Sequence, residues 1–353
     1  MTEIMNAWLQ FLLQHGAQID ANELRIADFG RPLQQDDLER GFVSPLTDMG
    51  IISASGEDAA HFLHNQVTND VEHLGPAQAR LAGYCSPKGR LLATLLMWKA
   101  GDTIMLQLPR QLQAAVQKRL QMFVLRAKVK LNDAADEHVA LGLGGLSSVE
   151  ALAKCFPRLP ETPYEKIDGE AGTLIRVADA FNAPRYQWIA PRGIVEQAWP
   201  ELSSVLLPAG TSAWRLAEIH AGIPQIVPAT QEQFVPQMIN FELIGGVNFK
   251  KGCYPGQEIV ARSQYLGKLK RRMMLASIDN AEVKAGMDVF SSADPEQPCG
   301  MIVNAERNPL GGADCLVELK TAAMDKGTIH LGSAAGAQLV FQSLPYPLPD
   351  ASE

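Results

Sequence analysis

The feature that most restricts the fold of this chain is a strand pair closed by a tight turn near residue 87. Residues 81–85 are mostly apolar, residues 86–89 read Ser-Pro-Lys-Gly, and a second apolar run occupies residues 90–99. Turn residues between two apolar runs predict a β-hairpin, whose strands are antiparallel. Helical segments and short strands alternate on both sides of this hairpin, so the pattern favours an α+β fold over a doubly wound parallel sheet.

The character of the alternation changes along the chain and predicts several domains. The chain has 353 residues, 46% of them hydrophobic, which is enough for two or three domains with their own cores. Short apolar runs separated by Gly, Pro and Asp follow Arg272 and favour a small β-barrel. We therefore expect a peripheral N-terminal extension (1–40), a first α+β unit (41–136 plus 211–267), a second α+β unit (137–210), a C-terminal β-barrel (268–347) and a tail (348–353).

A second informative feature is the octapeptide KGCYPGQE at residues 251–258, which combines a thiol, a phenol, an amide and a carboxylate. Pro255-Gly256 suits the middle of a type II turn. Lys250 and Lys251 stand beside Cys253, and neighbouring cations favour the reactive thiolate. The octapeptide therefore indicates either a rigid turn that presents a functional thiol or a structural turn with a buried cysteine.

The segment around the octapeptide has a local excess of positive charge. Seven cations and one anion, Glu258, lie between Lys250 and Arg272, in a chain whose net charge is −8. The spacing of Glu258 and Arg262 allows a helical ion pair. The excess indicates either a solvated face or a surface for an anionic partner. Because the chain is acidic, we expect any contact with nucleic acid to be local.

The cysteine pattern predicts a reducing compartment and no metal site. The five cysteines are scattered, without a C-x-x-C pair or metal-ligand spacing, and we identify no signal peptide. They are Cys85, Cys155, Cys253, Cys299 and Cys315. The apolar run near the N-terminus is too short to span a bilayer, so we expect a cytoplasmic protein without a membrane partner. Residues 142–145 (GLGG) lack the spacing of a nucleotide-binding loop.

The octapeptide and the following Val260-Ala-Arg262 resemble the motif of the folate-binding YgfZ family. This family belongs to the superfamily of the glycine-cleavage T-protein, an aminomethyltransferase. The resemblance covers roughly residues 44–347. It is also carried by Gly56, Phe62-Leu63, QVTND at 66–70, AGIP at 221–224, Pro236-Gln237, GGVNF at 245–249 and LPY at 344–346.

The resemblance implies both a fold and a function. It implies two ferredoxin-like α+β units and a C-terminal small β-barrel around a central folate cavity. It also implies that the chain binds tetrahydrofolate or a derivative and supports iron–sulfur enzymes and tRNA modification, including thiolation. The two tryptophans that contact folate in the family correspond to Met49 and Trp214 of this chain. The thioether of Met49 can still pack against a pterin.

The resemblance also assigns roles within the motif. Cys253 is expected to be the functional thiol, with redox or sulfur chemistry. The other side chains are expected to order the turn or bind a partner, and Arg262 is expected to orient Glu258. The motif positions are Lys251, Gly252, Cys253, Tyr254, Gly256, Gln257, Glu258 and Arg262.

The sequence departs from the aminomethyltransferases at positions that matter for catalysis. Their acidic pair after the first hairpin turn corresponds to Ala93 and Thr94 here. Neither side chain can act as a general acid or base near neutral pH, so aminomethyltransferase activity is not expected. His220 stands where the family often has a carboxylate, just before Ala221-Gly222.

The sequence is compatible with three functions. The first is a folate-binding accessory protein, with an iron–sulfur enzyme as its favoured partner and direct tRNA binding as the weaker alternative. The second is a folate-dependent one-carbon transferase or demethylase with an unknown acceptor, and the third is a non-catalytic interaction scaffold. In the first case we expect the basic run from Lys268 to Arg272, which includes Lys270 and Arg271, to form part of the surface for an anionic partner.

Overall fold

A computed structural model of the chain describes residues 3–20, 25–135, 138–265 and 269–349. Helices and strands are interspersed throughout, so the expected α+β class is confirmed. None of the helices in these ranges is long and apolar enough to cross a membrane. The α-helices are α1 (Glu3–Gln14), α2 (Gln35–Arg40), α3 (Ala59–His64), α4 (Arg110–Val124), α5 (Ser148–Ala153), α6 (Arg192–Val205), α7 (Thr211–His220), α8 (Gln257–Tyr265) and α9 (Thr321–Met324).

Most strands are short and pair with antiparallel neighbours, as hairpin signals in the sequence predict. Two 3₁₀ helices, Pro228–Thr230 and Pro236–Ile239, lie between α7 and α8. The strands are β1 (Gln18–Asp20), β2 (Arg25–Asp28), β3 (Phe42–Pro45), β4 (Met49–Ser55), β5 (Ala79–Cys85), β6 (Leu91–Ala100), β7 (Thr103–Pro109), β8 (Lys130–Asp133), β9 (Val139–Gly144), β10 (Lys166–Gly169), β11 (Gly172–Ala180), β12 (Ala183–Ala190), β13 (Leu207–Pro208), β14 (Arg271–Ile278), β15 (Asp288–Ser291), β16 (Asp294–Arg307), β17 (Ala313–Lys320), β18 (Ile329–Leu331) and β19 (Leu339–Gln342).

The first of two compact units comprises Met1–Ala59, His73–Arg80 and Leu96–Ala217. It contains a six-stranded sheet with the order β10-β11-β12-β9-β3-β13. β13 pairs with β3 in parallel and the other neighbours are antiparallel. Strands β11 and β12 form an antiparallel pair in this sheet, and α6 follows β12 along the chain. Helix α5 packs against β12 and α6.

Helix α1 contributes to the core of this unit. Trp8 and Leu12 are 1% and 0% exposed, and the ring of Trp8 meets Trp199 of α6 edge to face, with centroids 6.2 Å apart. We expected residues 1–40 to be a peripheral extension, and α1 differs from that expectation. The amphipathic pattern of this helix predicts an apolar face but not the surface that the face covers.

The hairpin predicted around residue 87 is present. Ser86 N donates to Arg90 O at 2.8 Å, and Gly89 N donates to Ser86 O at 2.9 Å. Its strands β5 and β6 belong to a five-stranded sheet with the order β5-β6-β7-β4-β8. All side chains from Leu91 to Trp98 in β6 are buried, which explains the continuous apolar run in this strand.

The second compact unit comprises Ala60–Glu72, Leu81–Leu95 and Glu218–Glu353. Its six-stranded sheet has the order β18-β15-β16-β17-β14-β19, and all of its neighbours are antiparallel. The short strands predicted after Arg272 all fall in this sheet. Strand β16 is long, because a bulge between Ile302 and Asn304 lets the pairing with β17 continue.

Candidate functional site

The octapeptide forms a turn whose backbone packs directly on the hairpin turn at residues 86–89. Gly256 has φ +82°, and Tyr254 O accepts a hydrogen bond from Gln257 N at 3.2 Å. These features fit the predicted type II turn. A Cβ on Gly256 would lie 2.5 Å from Ser86 O, and one on Gly89 would lie 2.9 Å from Ile259 Cβ. Two glycines therefore allow the backbones of the two turns to meet.

Lys251 anchors the beginning of the turn. Its side chain is buried (the residue is 9% exposed), and its Nζ donates to the carbonyl oxygens of His64 and Val67, the latter at 2.8 Å. The same Nζ lies 4.8 Å from the centroid of the Tyr254 ring. Burial lowers the pKa of Lys251 to about 8, and the negative charge of Asp70 opposes this shift. The lysine therefore fixes the turn to the chain segment that follows α3.

Cys253 differs from the other cysteines of the chain in its exposure. All five cysteines are in the described ranges, and Cys253 is the one that is exposed. Cys85 and Cys315 are fully buried, and desolvation raises the pKa of each thiol to about 12. Burial also raises the pKa of Cys155 and Cys299. The structure therefore leaves Cys253 as the accessible thiol and does not support the reading of it as a buried structural cysteine.

Two histidine–carboxylate pairs lie beside this turn, and neither was predicted from the sequence. His64 is buried, and its Nδ1 lies 3.2 Å from Asp70 Oδ1. His61 Nδ1 lies 2.7 Å from Glu72 Oε1, and this hydrogen bond lowers the pKa of Glu72. The spacing His61-x-x-His64 on a short helix was the available signal. Within the described ranges no cluster of three His, Cys, Asp or Glu side chains is arranged to hold a metal ion.

The remaining motif side chains divide between anchors and exposed groups. Tyr254 is buried, and burial raises the pKa of its phenol. Gln257 is half-buried at the start of α8, whereas Glu258 and Arg262 are exposed on that helix. Among the ion pairs of the described residues none joins Glu258 to Arg262, so the expected orientation of Glu258 by Arg262 is not seen.

Both arginines of the basic run after α8 form ion pairs with carboxylates of the same chain. Arg271 makes a bidentate interaction with Glu318, and one of its two bonds measures 2.8 Å. Arg272 is buried and pairs with Glu242 and with Gln237 O. The expectation that this run faces an anionic partner is therefore wrong for both arginines. Each compensates a buried carboxylate, and Lys270 remains exposed.

Lys268, which we expected to belong to the same surface, lies outside the described residues.

Trp214 and Met49, the two expected folate contacts, both lie in the first unit. Trp214 is 4% exposed, and the guanidinium of Arg185 lies over its ring, 4.7 Å from the centroid. A Cβ on Gly142 would lie 2.3 Å from Trp214 Cε3. The GLGG segment is thus largely strand β9, packed on a tryptophan.

Met49 is partly exposed and lines a small cavity. The cavity wall also includes Leu46, Ile51, Gln107 and Ala140. Gln107 is 1% exposed, and its Nε2 has no hydrogen-bond partner among the described residues. The cavity is therefore largely apolar, with a buried amide that can donate to a ligand.

The positions that replace catalytic groups of the aminomethyltransferases have structural roles in this chain. Ala93 is fully buried in β6. Thr94 is also buried, and its Oγ1 accepts a hydrogen bond from Ile226 N at 3.1 Å. His220 Nε2 lies 2.7 Å from Asp314 Oδ2. The histidine therefore binds a carboxylate of the same unit.

Comparison with known proteins identifies relatives across nearly the whole chain, although no family model matches it. The chain is 31% identical over 323 residues to a tRNA-modifying protein YgfZ from Photorhabdus laumondii, with 90% of this chain and 95% of that protein covered. It is 30% identical over 299 residues to a protein of the same name from Edwardsiella ictaluri, with 84% and 89% covered.

A solved structure shows that the fold is shared more widely. The glycine cleavage system aminomethyltransferase T from Bartonella henselae matches with a TM-score of 0.78 and 15% sequence identity. The match covers 95% of this chain and 96% of that one. At this identity the match shows the fold alone.

Proposed function

The chain belongs to the YgfZ family, and from this premise we propose that it takes part in tRNA modification as a tetrahydrofolate-binding accessory protein. The proposed partner is an iron–sulfur enzyme, and the group presented to it is the thiol of Cys253. The observation that carries this proposal is the exposure of Cys253 on a turn that is anchored on both sides.

The buried side chains on either side of Cys253 support a role for its thiol other than packing. Free cysteine is among the most buried residue types, because its side chain behaves as a small apolar group. Here Lys251 and Tyr254 are buried on either side of Cys253, while the thiol between them is exposed. Burial of the neighbours fixes the position of the thiol, and exposure leaves it accessible to a second molecule.

The folate part of the proposal rests on family membership and on the chemistry near Met49. The Met49 cavity is small and has mostly apolar walls, and the buried amide of Gln107 offers a hydrogen-bond donor to a polar ligand edge. Stacking of a pterin on Trp214 requires Arg185 to move from the ring face that it covers. The arrangement of two ferredoxin-like units and a small barrel around a central folate cavity is part of this proposal.

Titration with tetrahydrofolate tests the folate site. Binding is expected to quench tryptophan fluorescence, and Trp214→Ala is expected to weaken binding several-fold, because stacking contributes about 0.5–1.5 kcal/mol beyond buried area. Trp214→Phe retains an aromatic ring and is the matched control, with affinity measured by calorimetry for all three proteins. Unchanged affinity in Trp214→Ala would remove Trp214 from the site.

The proposal assigns no aminomethyl transfer to this chain. Ala93 and Thr94 cannot exchange a proton near neutral pH, and Thr94 is already bonded to the backbone of Ile226. The proposed role is therefore to hold a folate and present a thiol.

A complementation experiment tests the function as a whole. A strain that lacks the gene is supplied with the wild type, with Cys253→Ala or with Cys155→Ala, and the methylthio-nucleoside content of its tRNA is measured. We expect Cys253→Ala to lose most of the modification and Cys155→Ala, a half-buried cysteine, to retain it. Full rescue by Cys253→Ala would contradict the proposed role of the thiol.

A further inference from the structure

The longest segment of the chain without Asp or Glu comprises helix α4 and the strands on either side of it. This segment carries many cations. Between Asp102 and Asp133 there is no Asp or Glu, although the net charge of the chain is −8. Six cations lie in this interval: Arg110, Lys118, Arg119, Arg126, Lys128 and Lys130. Such a sign reversal is the electrostatic footprint of an anionic partner when the cations remain uncompensated.

Four of these six cations are uncompensated. Arg110 pairs with Asp133 at 2.9 Å, and Lys128 pairs with Glu57 at 2.7 Å. Throughout the described ranges, no ion pair involves the other four: Lys118, Arg119, Arg126 and Lys130. Arg119 is partly exposed and the other three are exposed. One or two cations would complement the dipole at the helix C-terminus, and four exceed that need.

Large apolar side chains project among these cations. Met122 is 65% exposed, Phe123 45% and Leu125 87%. Leu125 has φ +46° and ψ −103°, a backbone conformation that a branched residue rarely adopts and that occurs more often at ligand-binding positions. Exposed apolar groups surrounded by cations are typical of an interaction surface.

The backbone that carries these side chains is held in place. Lys128 N donates to Asp58 Oδ2 at 2.7 Å, and a Cβ on Gly56 would lie 2.1 Å from Lys128 O. Ala127 N donates to Val124 O at 2.8 Å. The segment after α4 is therefore fixed against the loop at residues 56–58, and its apolar groups are presented on an ordered surface.

We propose that this surface, the α4 tip, binds a single-stranded loop of RNA, and that transfer RNA is the RNA class concerned. The α4 tip consists of Lys118, Arg119, Met122, Phe123, Leu125, Arg126 and Lys130. This inference rests on the proposed function in tRNA modification and adds a binding surface to it. The cations contact phosphates, and the exposed ring of Phe123 stacks on an unpaired base, with Met122 and Leu125 covering its edges.

Charge and side-chain chemistry favour this occupant over a second copy of the chain. An isologous dimer at the α4 tip would bring two sets of uncompensated cations together, which costs free energy. An RNA loop supplies negative charge that complements the cations of the tip, and its unpaired bases supply flat apolar surfaces that can pack on the exposed apolar side chains. The overall acidity of the chain limits this binding to the tip and lowers its affinity for RNA elsewhere.

Binding of unfractionated tRNA across a salt series tests the charge component. Lys118→Ala, Arg126→Ala and Lys130→Ala combined should weaken binding at least tenfold and should reduce the salt slope by about 2, since each single-strand phosphate contact contributes about 0.7. A triple variant at Lys99, Lys284 and Lys326 changes the net charge equally and should bind as the wild type does. Equal effects of both triple variants, or no tRNA binding by the wild type, would overturn the proposal.

Substitutions of Phe123 test the stacking component. Phe123→Leu retains apolar area without a ring and should weaken tRNA binding about tenfold, whereas Phe123→Trp should retain it. Fully paired duplex RNA of similar length should compete poorly with tRNA, because its bases are not available for stacking. Retained binding in Phe123→Leu, or equal competition by the duplex, would overturn RNA stacking. If the wild type binds neither RNA, the occupant is instead an acidic, apolar protein surface, and the proposal is wrong.

The outcome for the α4 tip is separable from that for the proposed function. If substitutions in the α4 tip leave the affinity for tRNA unchanged while Cys253→Ala still fails to complement, this inference is wrong and the proposed function stands. If the tip binds tRNA as expected while Cys253→Ala complements fully, the role of the thiol is wrong and the surface stands.

Discussion

Cys253 is exposed because of the residues beside it. Lys251 directs its ammonium at two backbone carbonyls, and Tyr254 is buried, so the chain between them must pass across the surface. From the sequence, Lys251 is expected to act on the thiol as a free charge. In the structure the same charge holds the turn, because Nζ donates to the carbonyl oxygens of His64 and Val67.

Alkylation rates should follow the exposure of the five thiols. Cys253 is expected to react fastest with iodoacetamide at neutral pH, because burial raises the pKa of the other four and restricts access to them. Competitive labelling followed by mass spectrometry measures the order. Faster labelling of Cys85 or Cys315 would show that the structure opens at those sites, and would contradict the assignment of Cys253 as the accessible thiol.

The lowered pKa of Lys251 should be visible as a pH dependence of stability. Its pKa falls from 10.5 to about 8 on folding. Between these values the unfolded chain holds a proton that the native state has released, so the contribution of Lys251 to stability increases as the pH rises. Relative to Lys251→Met, the wild type should gain on the order of 2 kcal/mol in free energy of unfolding between about pH 7.5 and about pH 10.

Urea titrations of both proteins at the two pH values measure this difference, and other titrating groups cancel in the comparison. A difference that stays constant or decreases with pH would show that Lys251 is not desolvated in the native state.

At the scale of single elements, the octapeptide contains two glycines, and the turn at residues 254–257 requires the one at position 256. Gly256 has φ +82°, and a Cβ at this position would lie within 2.6 Å of backbone atoms of the neighbouring turn. Gly252, by contrast, would place its Cβ no closer than 3.5 Å to His64 Nε2. The two glycines of the octapeptide are therefore required to different degrees.

Gly256→Ala should destabilise the protein by about 1–3 kcal/mol, because a left-handed conformation and a close backbone contact both oppose a Cβ. Gly252→Ala is the matched control and should change the free energy of unfolding by less than about 0.5 kcal/mol. Thermal unfolding of the two variants measures the contrast. Equal effects of the two substitutions would show that the two turns are not in close backbone contact.

Local sequence signals predicted the elements that depend on neighbouring residues. The hairpin at 81–99 and the turn at Pro255-Gly256 are of this kind, because proline, glycine and apolar runs act over a few residues. The partners of Arg271 and Arg272 were not predictable in this way. Glu318 lies 47 residues from Arg271, and Glu242 lies 30 residues from Arg272, so only the fold brings these charges together.

The candidate site was likewise predictable only where its signals are local in sequence. The octapeptide marked Cys253, but nothing local indicated that Lys251 would reach the carbonyls of His64 and Val67, 187 and 184 residues away. The histidine–carboxylate pairs could not be predicted, because the spacing His61-x-x-His64 is also common on helix surfaces that have no function.

At the scale of the whole molecule, helix α1 should be essential for stability. Trp8 is 1% exposed in the core of the first unit, so Trp8→Ala should cost about 3–5 kcal/mol in free energy of unfolding. Leu13→Ala lies on the same helix at a position that is 51% exposed and should cost less than about 1 kcal/mol. Chemical denaturation measures both values. A small effect of Trp8→Ala would restore the view of the N-terminus as a peripheral extension.

The double anchoring of the octapeptide has a kinetic consequence for any molecule that reacts with Cys253. The thiol is positioned by three stretches that are distant in sequence: residues 64–67, residues 86–89 and the octapeptide itself. A molecule that approaches it meets a surface that is already formed, so no loop has to be ordered during the encounter. The rate of association should then be limited by orientation and depend weakly on solvent conditions that alter loop flexibility.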